Sequence, residues 1–164
     1  LILTGLRSGP VRLARLDQIE GNVLVIPGEG MKGRRGKTDD FHVPLSDEAL
    51  RVIEQAKGNM RDGLLFPSPR KGPIADMSMS KLMERRGLDA RPHGFRSSLR
   101  TWIAETTDTP HDVAEMMIAH SVGSKTTRAY FRTDHIEQRR ILSQRWADYV
   151  TGGMGKVIKL AASG

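Results

Sequence analysis

The sequence predicts one α+β domain that is mostly helical and has a small antiparallel sheet at one edge. Short apolar segments bounded by turn residues fill the first third of the chain, and apolar residues then recur at helical spacing to about residue 150. A chain of 164 residues with 38% hydrophobic content can form one core. It is too short for two domains of ordinary size, so we look for one functional site.

Two segments in the first third are predicted to be strands. Residues 23–26 and 41–45 are short apolar runs; the turn sequence Gly21-Asn22 precedes the first, and Pro27-Gly28-Glu29-Gly30 follows it. The polar connection at 31–40 is predicted to be a loop. Such a loop is often only solvated, but it can also reach a groove, and it carries four basic residues: Lys32, Arg34, Arg35 and Lys37.

The chain from Ser46 onward is predicted to be helical. Ser46 is a good N-cap, Leu50 and Ile53 lie on one face, and Gly58 ends the first helix. A loop rich in proline follows at 64–73. Further helices are predicted at 78–86, at 92–106, at 110–119 behind the cap Thr109, at 124–131, and from the cap Asp134 to Gly152-Gly153.

One apolar face is predicted for the last helix, which gives that helix a side to bury. The tail at 154–164 is short and apolar at Val157, Ile158 and Leu160, so it is either frayed or docked on another surface. The predicted apolar face consists of Ile136, Ile141, Leu142, Trp146, Tyr149 and Val150.

Charge and composition narrow the class of protein. The net charge of +7 and the pI near 10.1 are expected of a surface that neutralises phosphates, so nucleic acid is the first partner to test. No apolar run approaches the roughly 18 to 20 residues that span a bilayer, so we expect a soluble, intracellular protein. With no cysteine, thiolate catalysis, disulfides and thiolate zinc sites are excluded. The start without Met suggests a fragment of a longer protein.

The sequence contains no motif typical of phosphate chemistry that uses a metal or a nucleotide. The five histidines include no pair at i, i+4 spacing, clustered carboxylates are absent, and no GxxxxGK loop occurs. We therefore expect no metal and no cofactor. If the protein acts on phosphates, its side chains must do so.

Six side chains could carry such chemistry. Their types are those that bind phosphate or transfer protons, although each one alone is more often a surface charge or a core residue. His93 and Arg96 stand three apart in the first turn of a predicted helix, so both should point the same way, near the positive end of the helix dipole. The six are Arg7, Lys32, His93, Arg96, His120 and Tyr130.

The order of these residues resembles the phage integrase or tyrosine recombinase family over essentially the whole chain. Thr4-Gly5-Leu6-Arg7 comes first, a hairpin lysine follows, and His93-Gly94-Phe95-Arg96 precedes Ile118-Ala119-His120, with Tyr130 ten positions later. The stretches MKGRRGKTDDFHVPLS and EQRRILSQRWADYV are similar to those of prophage-type integrases from integrative elements. The combined order, rather than TGLR alone, is specific.

The resemblance implies the catalytic fold of that family, with a small three-stranded antiparallel sheet at one edge. It makes Arg7 and Arg96 the phosphate-binding arginines, with His120 beside them. His93 becomes the proton acceptor and Lys32 the general acid, and Tyr130 becomes the nucleophile that forms a 3'-phosphotyrosine. Implied DNA contacts are Arg34, Arg35, Lys37, Arg91, Lys125 and Arg128.

The resemblance also implies partners and organisation. Residues 1–153 would be the catalytic domain of a longer integrase without its N-terminal DNA-binding domains, and 154–164 a tail that docks on a neighbouring subunit. The partner would be duplex DNA at attachment sites in the bacterial cytoplasm, with a tetramer on DNA and no membrane. Integration or excision of a mobile element would be the result.

One departure, one competing lysine and two alternative activities accompany this hypothesis. Pro10 stands where the family usually has an acidic residue, and Asp17 could compensate for it. Lys37 competes with Lys32 for the acid role. A type IB topoisomerase-like enzyme would use the same residues but rejoin the same strand, and a non-catalytic DNA-binding relative would bind without cutting.

Overall fold

The computed structural model describes residues 1–30, 39–120 and 134–153. Within these ranges the chain is mostly helical with one small sheet, which confirms the predicted fold class. The strands are β1 (Ile19–Glu20), β2 (Val23–Ile26) and β3 (Phe41–Pro44). The α-helices are α1 (Ser8–Arg12), α2 (Asp47–Lys57), α3 (Ser78–Arg85), α4 (Gly94–Thr106), α5 (His111–Met117) and α6 (Ile136–Val150).

The sheet has three antiparallel strands, as predicted, and their order is β1-β2-β3. In the middle strand, Leu24 pairs with Ile19 on one side and with Val43 on the other. Leu24 and Val43 are both buried, so this cross-strand pair faces the core. The strand β1 has two residues, which is too short to show any alternation, and only pairing with β2 identifies it.

The helix α2 begins and ends as its sequence predicts. The Ser46 hydroxyl accepts a hydrogen bond from the Ala49 N–H at 3.3 Å, and Asp47 and Glu48 lie in the first turn, where the helix dipole favours negative charge. Gly58 follows the last helical residue. Local signals therefore suffice for this element.

Two helix starts differ from the prediction. α4 begins at Gly94 rather than at residue 92, because a turn closed by the Gly94 N–H and the Arg91 carbonyl at 2.9 Å precedes it. α5 begins at His111, and Thr109 is not its cap. The Thr109 hydroxyl instead accepts a hydrogen bond from the Thr107 hydroxyl at 2.7 Å, so it is not directed at the helix.

The last helix, α6, confirms part of its prediction. His135 occupies the N-cap position, while the Asp134 carboxylate accepts from the Ile136 N–H at 3.2 Å, one residue further out than expected. The predicted apolar face was only partly correct: Leu142 and Trp146 are buried, but three of its members are exposed. The exposed members are Ile141, Tyr149 and Val150. The buried side also contains Arg139, Ser143 and Ala147.

Two apolar clusters form the core of the described residues. One lies among α4, α5 and α6 and includes Leu99, Trp102, Ile103, Val113, Ala114, Met117, Ile118, Leu142 and Trp146. The other joins the sheet to α2 and includes Leu6, Leu24, Ile26, Val43, Leu45 and Ala49. The first residues of the chain connect the two clusters, since Leu6 belongs to the second while the Ile2 carbonyl accepts from the Trp146 indole at 2.9 Å.

Two predicted elements, the helix at 124–131 and the docking tail at 154–164, lie outside the described residues. In the part of the chain that the structure describes, no helix has the length and apolar character needed to cross a membrane.

Candidate active site

The guanidinium of Arg96 lies at the centre of the candidate site. Arg96 is 3% exposed, and its Nη1 and Nη2 atoms donate to the backbone carbonyls of Gly5 and Ile118, each at 2.5 Å. Gly5 stands two residues before Arg7, and Ile118 two residues before His120. One buried side chain therefore holds together three segments that each carry a predicted site residue.

Gly5 makes this close approach possible. Its φ of +61° lies in the left-handed region, and a Cβ at this position would be 2.6 Å from the Leu99 side chain and 3.4 Å from the Ile118 side chain. A larger residue would be strained and would also push the first segment away from α4. Close packing therefore explains why a glycine stands in the TGLR motif.

Arg7 and Arg96 are close enough to interact electrostatically. Arg7 is the N-cap of α1 and is partly exposed. The pKa of Arg96 is lowered to about 10, first by burial and then by the positive charge of Arg7. Among the residues described, no carboxylate forms an ion pair with either arginine. Two like charges beside each other without an acidic partner favour the binding of an anion.

His93 lies at the start of the helix that carries Arg96. It is the N-cap of α4, and its carbonyl accepts a hydrogen bond from the Arg96 N–H at 3.1 Å. His93 is exposed whereas Arg96 is buried. The backbone of His93 already has helical dihedral angles, with φ −66° and ψ −31°, so the expectation that both side chains point the same way stays a prediction.

His120 is held by Glu115, a residue that the sequence analysis missed. The His120 Nδ1 atom lies 2.8 Å from the Glu115 carboxylate, which also accepts from the Arg100 Nε at 2.7 Å. These contacts lower the pKa of Glu115, with the Arg100 hydrogen bond as the largest cause and His120 next. The five-residue spacing from Glu115 to His120 crosses a helix end, where no periodic signal would reveal the contact.

The remaining predicted residues divide into two groups. Arg91 is exposed just before α4, compatible with a surface contact. The others lie outside the described residues, so the structure does not place them: Lys32, Arg34, Arg35, Lys37, Lys125, Arg128 and the nucleophile Tyr130.

Pro10 and Asp17, the departure and its suggested compensation, both lie within the described residues. Pro10 is the third residue of α1, where a backbone N–H has no helical partner and proline costs little. Asp17 does not compensate, because its carboxylate lies 3.3 Å from the Nε of Arg15 rather than beside Arg7. Sequence proximity suggested the wrong arginine.

A second buried arginine, Arg139 of α6, was also missed by the sequence analysis. It is 1% exposed and donates to the backbone carbonyls of Asp134, at 3.0 Å, and of His42. Its guanidinium lies 4.7 Å from the centre of the Phe41 ring, and burial lowers its pKa to about 10. Arg139 therefore joins the start of α6 to β3, as Arg96 joins the segments of the candidate site.

Sequence comparison finds one family model and several curated relatives. The phage integrase family model matches residues 1–136. The chain is 37% identical to the prophage integrase IntA of Escherichia coli (strain K12), over 91% of this chain and 37% of that protein. It is 30% identical to the integrase of Enterobacteria phage P4, over 97% of this chain and 40% of that one. The chain thus spans less than half the length of these relatives.

Solved structures share the fold at low sequence identity. The XerA recombinase superposes with a TM-score of 0.57 at 16% identity, over 94% of this chain and 56% of that one. A lambda integrase fragment (75–356), solved as a dimer bound to a COC' core site, gives a TM-score of 0.51 at 20% identity, over 81% of this chain and 49% of that one.

Proposed function

The chain belongs to the phage integrase family, and from that premise we propose that it is the catalytic part of a tyrosine site-specific DNA recombinase. The observation that carries this proposal is the pair Arg7 and Arg96, two neighbouring cations that have no carboxylate partner among the described residues. A DNA phosphate has the charge that such a pair would accept. Integration or excision of a mobile element is the proposed outcome.

The proposed cleavage step uses each residue type for a chemical reason. The phenol oxygen of Tyr130 attacks the phosphorus and displaces the 5' oxygen of the next nucleotide, leaving a 3'-phosphotyrosine. At pH 7 only about one phenol in a thousand is ionised, so His93 accepts the phenolic proton. Lys32 donates a proton to the departing 5' oxygen, with Lys37 as the alternative donor. Because one phosphodiester replaces another, no nucleotide cofactor is required.

The two arginines and His120 would stabilise the charge that gathers on the non-bridging oxygens. An arginine has five N–H groups, and two of those of Arg96 donate to the Gly5 and Ile118 carbonyls, which leaves three outside these contacts. Donors of this kind that are in place before the reaction contribute roughly 3 to 4 kcal/mol each. The same groups then assist attack by the 5'-hydroxyl of the partner strand, which releases Tyr130.

Duplex DNA is the proposed partner. Lambda integrase has been solved as a tetramer bound to a Holliday junction, and we propose a tetramer on DNA for the whole protein here as well. The net charge of +7 supports phosphate contacts, for which we propose Arg34, Arg35, Lys37, Arg91, Lys125 and Arg128. Deleting residues 154–164 is expected to weaken assembly on DNA more than cleavage by monomers. Equal losses would contradict a docking role for this tail.

A covalent-capture experiment with a library of duplexes tests the proposal. The protein is mixed with a library of duplexes that have randomised cores and a nick beside the expected scissile phosphate, so that cleavage releases a short strand and traps the adduct. Adducts that survive denaturation are sequenced, and the attached peptide is mapped by mass spectrometry. Wild type should yield an adduct at Tyr130, and Tyr130→Phe should yield none.

Each alternative activity predicts a different result in this experiment. A non-catalytic relative would bind duplexes without any adduct. A topoisomerase-like enzyme would form the adduct but would rejoin only the original strand when a partner duplex is supplied. An adduct on another residue would contradict the assignment of Tyr130.

A further inference from the structure

We infer that Glu115 is a positioning residue for His120, which selects the imidazole nitrogen that faces the substrate. This inference rests on the proposed function only in assigning His120 to the phosphate. The Glu115 carboxylate lies beside three basic side chains: the Arg100 Nε at 2.7 Å, the His120 Nδ1 at 2.8 Å and the His111 Nε2 at 3.8 Å. Arg100 belongs to α4, whereas His111 and Glu115 belong to α5.

The backbone and the side chain of Glu115 both hold His120. The Glu115 carbonyl accepts the His120 backbone N–H at 3.0 Å, beyond the end of α5. Ala119 makes this possible with a φ of +50°, a conformation that side-chain-bearing residues adopt rarely and that costs of order 1–3 kcal/mol. The left-handed conformation of Ala119 changes the chain direction after α5, and this brings the His120 imidazole to the Glu115 carboxylate.

The chemistry of the carboxylate determines the proton on the ring. The hydrogen bonds from Arg100 and His120 hold the pKa of Glu115 below its ordinary value, so at neutral pH the group is ionised and can only accept. The Nδ1 of His120 must then carry a hydrogen, and Nε2 is the nitrogen presented outward. As an imidazolium, His120 would donate from Nε2 to a phosphate oxygen.

Arg100 and His111 have lesser parts in this arrangement. Arg100 is about a quarter exposed and occupies one carboxylate oxygen, Oε1, which leaves Oε2 for His120. His111 is 77% exposed, and its 3.8 Å separation from Glu115 is too long for a hydrogen bond. A purely structural role would have Glu115 only joining α5 to α4 through Arg100, with no effect on the His120 tautomer.

Nitrogen NMR of the imidazole separates these two roles and needs no DNA. The chain is labelled with 15N-histidine, and the His120 signals are assigned from their absence in His120→Ala. In wild type the proton of the neutral ring should reside on Nδ1. In Glu115→Gln and Glu115→Ala the ring should become a mixture of both tautomers. A wild-type proton on Nε2, or variants with the wild-type tautomer, would overturn the inference.

A double-mutant cycle of single-turnover cleavage tests the same inference through activity. Removing a group that orients an active residue typically costs about 10- to 100-fold, so Glu115→Ala should slow adduct formation by that factor with a DNA Kd within about threefold of wild type. In the His120→Ala background the same change should have almost no further effect. Effects that multiply would show that Glu115 acts through the helices and would overturn the inference.

Two controls keep the result interpretable. Glu105→Ala removes an exposed carboxylate from α4 and should cleave within about threefold of wild type. If Glu115→Ala no longer unfolds cooperatively, the isosteric Glu115→Gln takes its place in both experiments. If wild type forms no adduct, the proposed function fails while the NMR result still decides the role of Glu115.

Discussion

Replacing Arg96 by methionine should damage cleavage far more than stability. Methionine fills a similar volume but removes both donors, to the Gly5 and Ile118 carbonyls. Hydrogen bonds to charged groups contribute about 1.5–3 kcal/mol each, so the two together contribute about 3–6 kcal/mol. The buried charge offsets part of this, since burial and the charge of Arg7 lower the pKa of Arg96 to about 10, which corresponds to about 3 kcal/mol at 1.36 kcal/mol per pH unit.

The net loss of unfolding free energy should therefore be small, at most about 3 kcal/mol. For a chain of this size each kcal/mol lost lowers the Tm by roughly 2–4 °C. Cleavage loses a charged donor to the reacting phosphate, which costs about 100- to 1,000-fold. Urea unfolding and single-turnover adduct formation, both well below the Tm, measure the two quantities.

Arg139→Met is the matched control for this prediction. Arg139 is equally buried, also donates to two backbone carbonyls and also has a pKa near 10, but its contacts join α6 to β3. It should lose a similar amount of stability and cleave within about tenfold of wild type. If both methionine variants slow cleavage by the same factor, Arg96 acts through the fold and its role at the phosphate is refuted.

Three further predictions follow from individual residues. Gly5→Ala should cost about 1–3 kcal/mol of unfolding free energy, because a Cβ there meets Leu99 at 2.6 Å. Gly21→Ala is the control, since Gly21 has a similar φ of +59° but no atom within 4 Å of the added Cβ. An equal loss for the two variants in thermal unfolding would contradict the packing argument. The lowered pKa of Glu115 stabilises the fold fully above the unfolded pKa near 4.5, and this is lost as pH falls through the folded pKa. The stability gap between wild type and Glu115→Gln should thus narrow on acidification, whereas a gap independent of pH would exclude a stabilising carboxylate. DNA affinity should fall linearly with log salt, and Arg91→Ala should reduce that slope by about one if Arg91 contacts a phosphate, as measured by fluorescence anisotropy.

Much of the fold could be predicted from the sequence, because helix caps and short apolar runs are signals carried by neighbouring residues. Ser46 caps α2, and the two short apolar runs form the strands β2 and β3, as predicted. Errors came at helix ends such as Thr109, where a neighbouring hydroxyl competes with the helix for the same hydrogen bond. The suggested compensation by Asp17 was also wrong, because its carboxylate pairs with Arg15 rather than with Arg7.

The order of motifs along the chain determined the family and the identity of the candidate residues. Which groups touch was decided only by the tertiary structure: Arg96 meets the carbonyl of Gly5 from 91 residues away, and Glu115 joins Arg100 to His120 across a helix end. Hydrogen bonds between residues so far apart in the sequence depend on how the two apolar clusters pack. No residue pattern encodes that packing locally, because each cluster is built from side chains that approach one another only after the chain has folded.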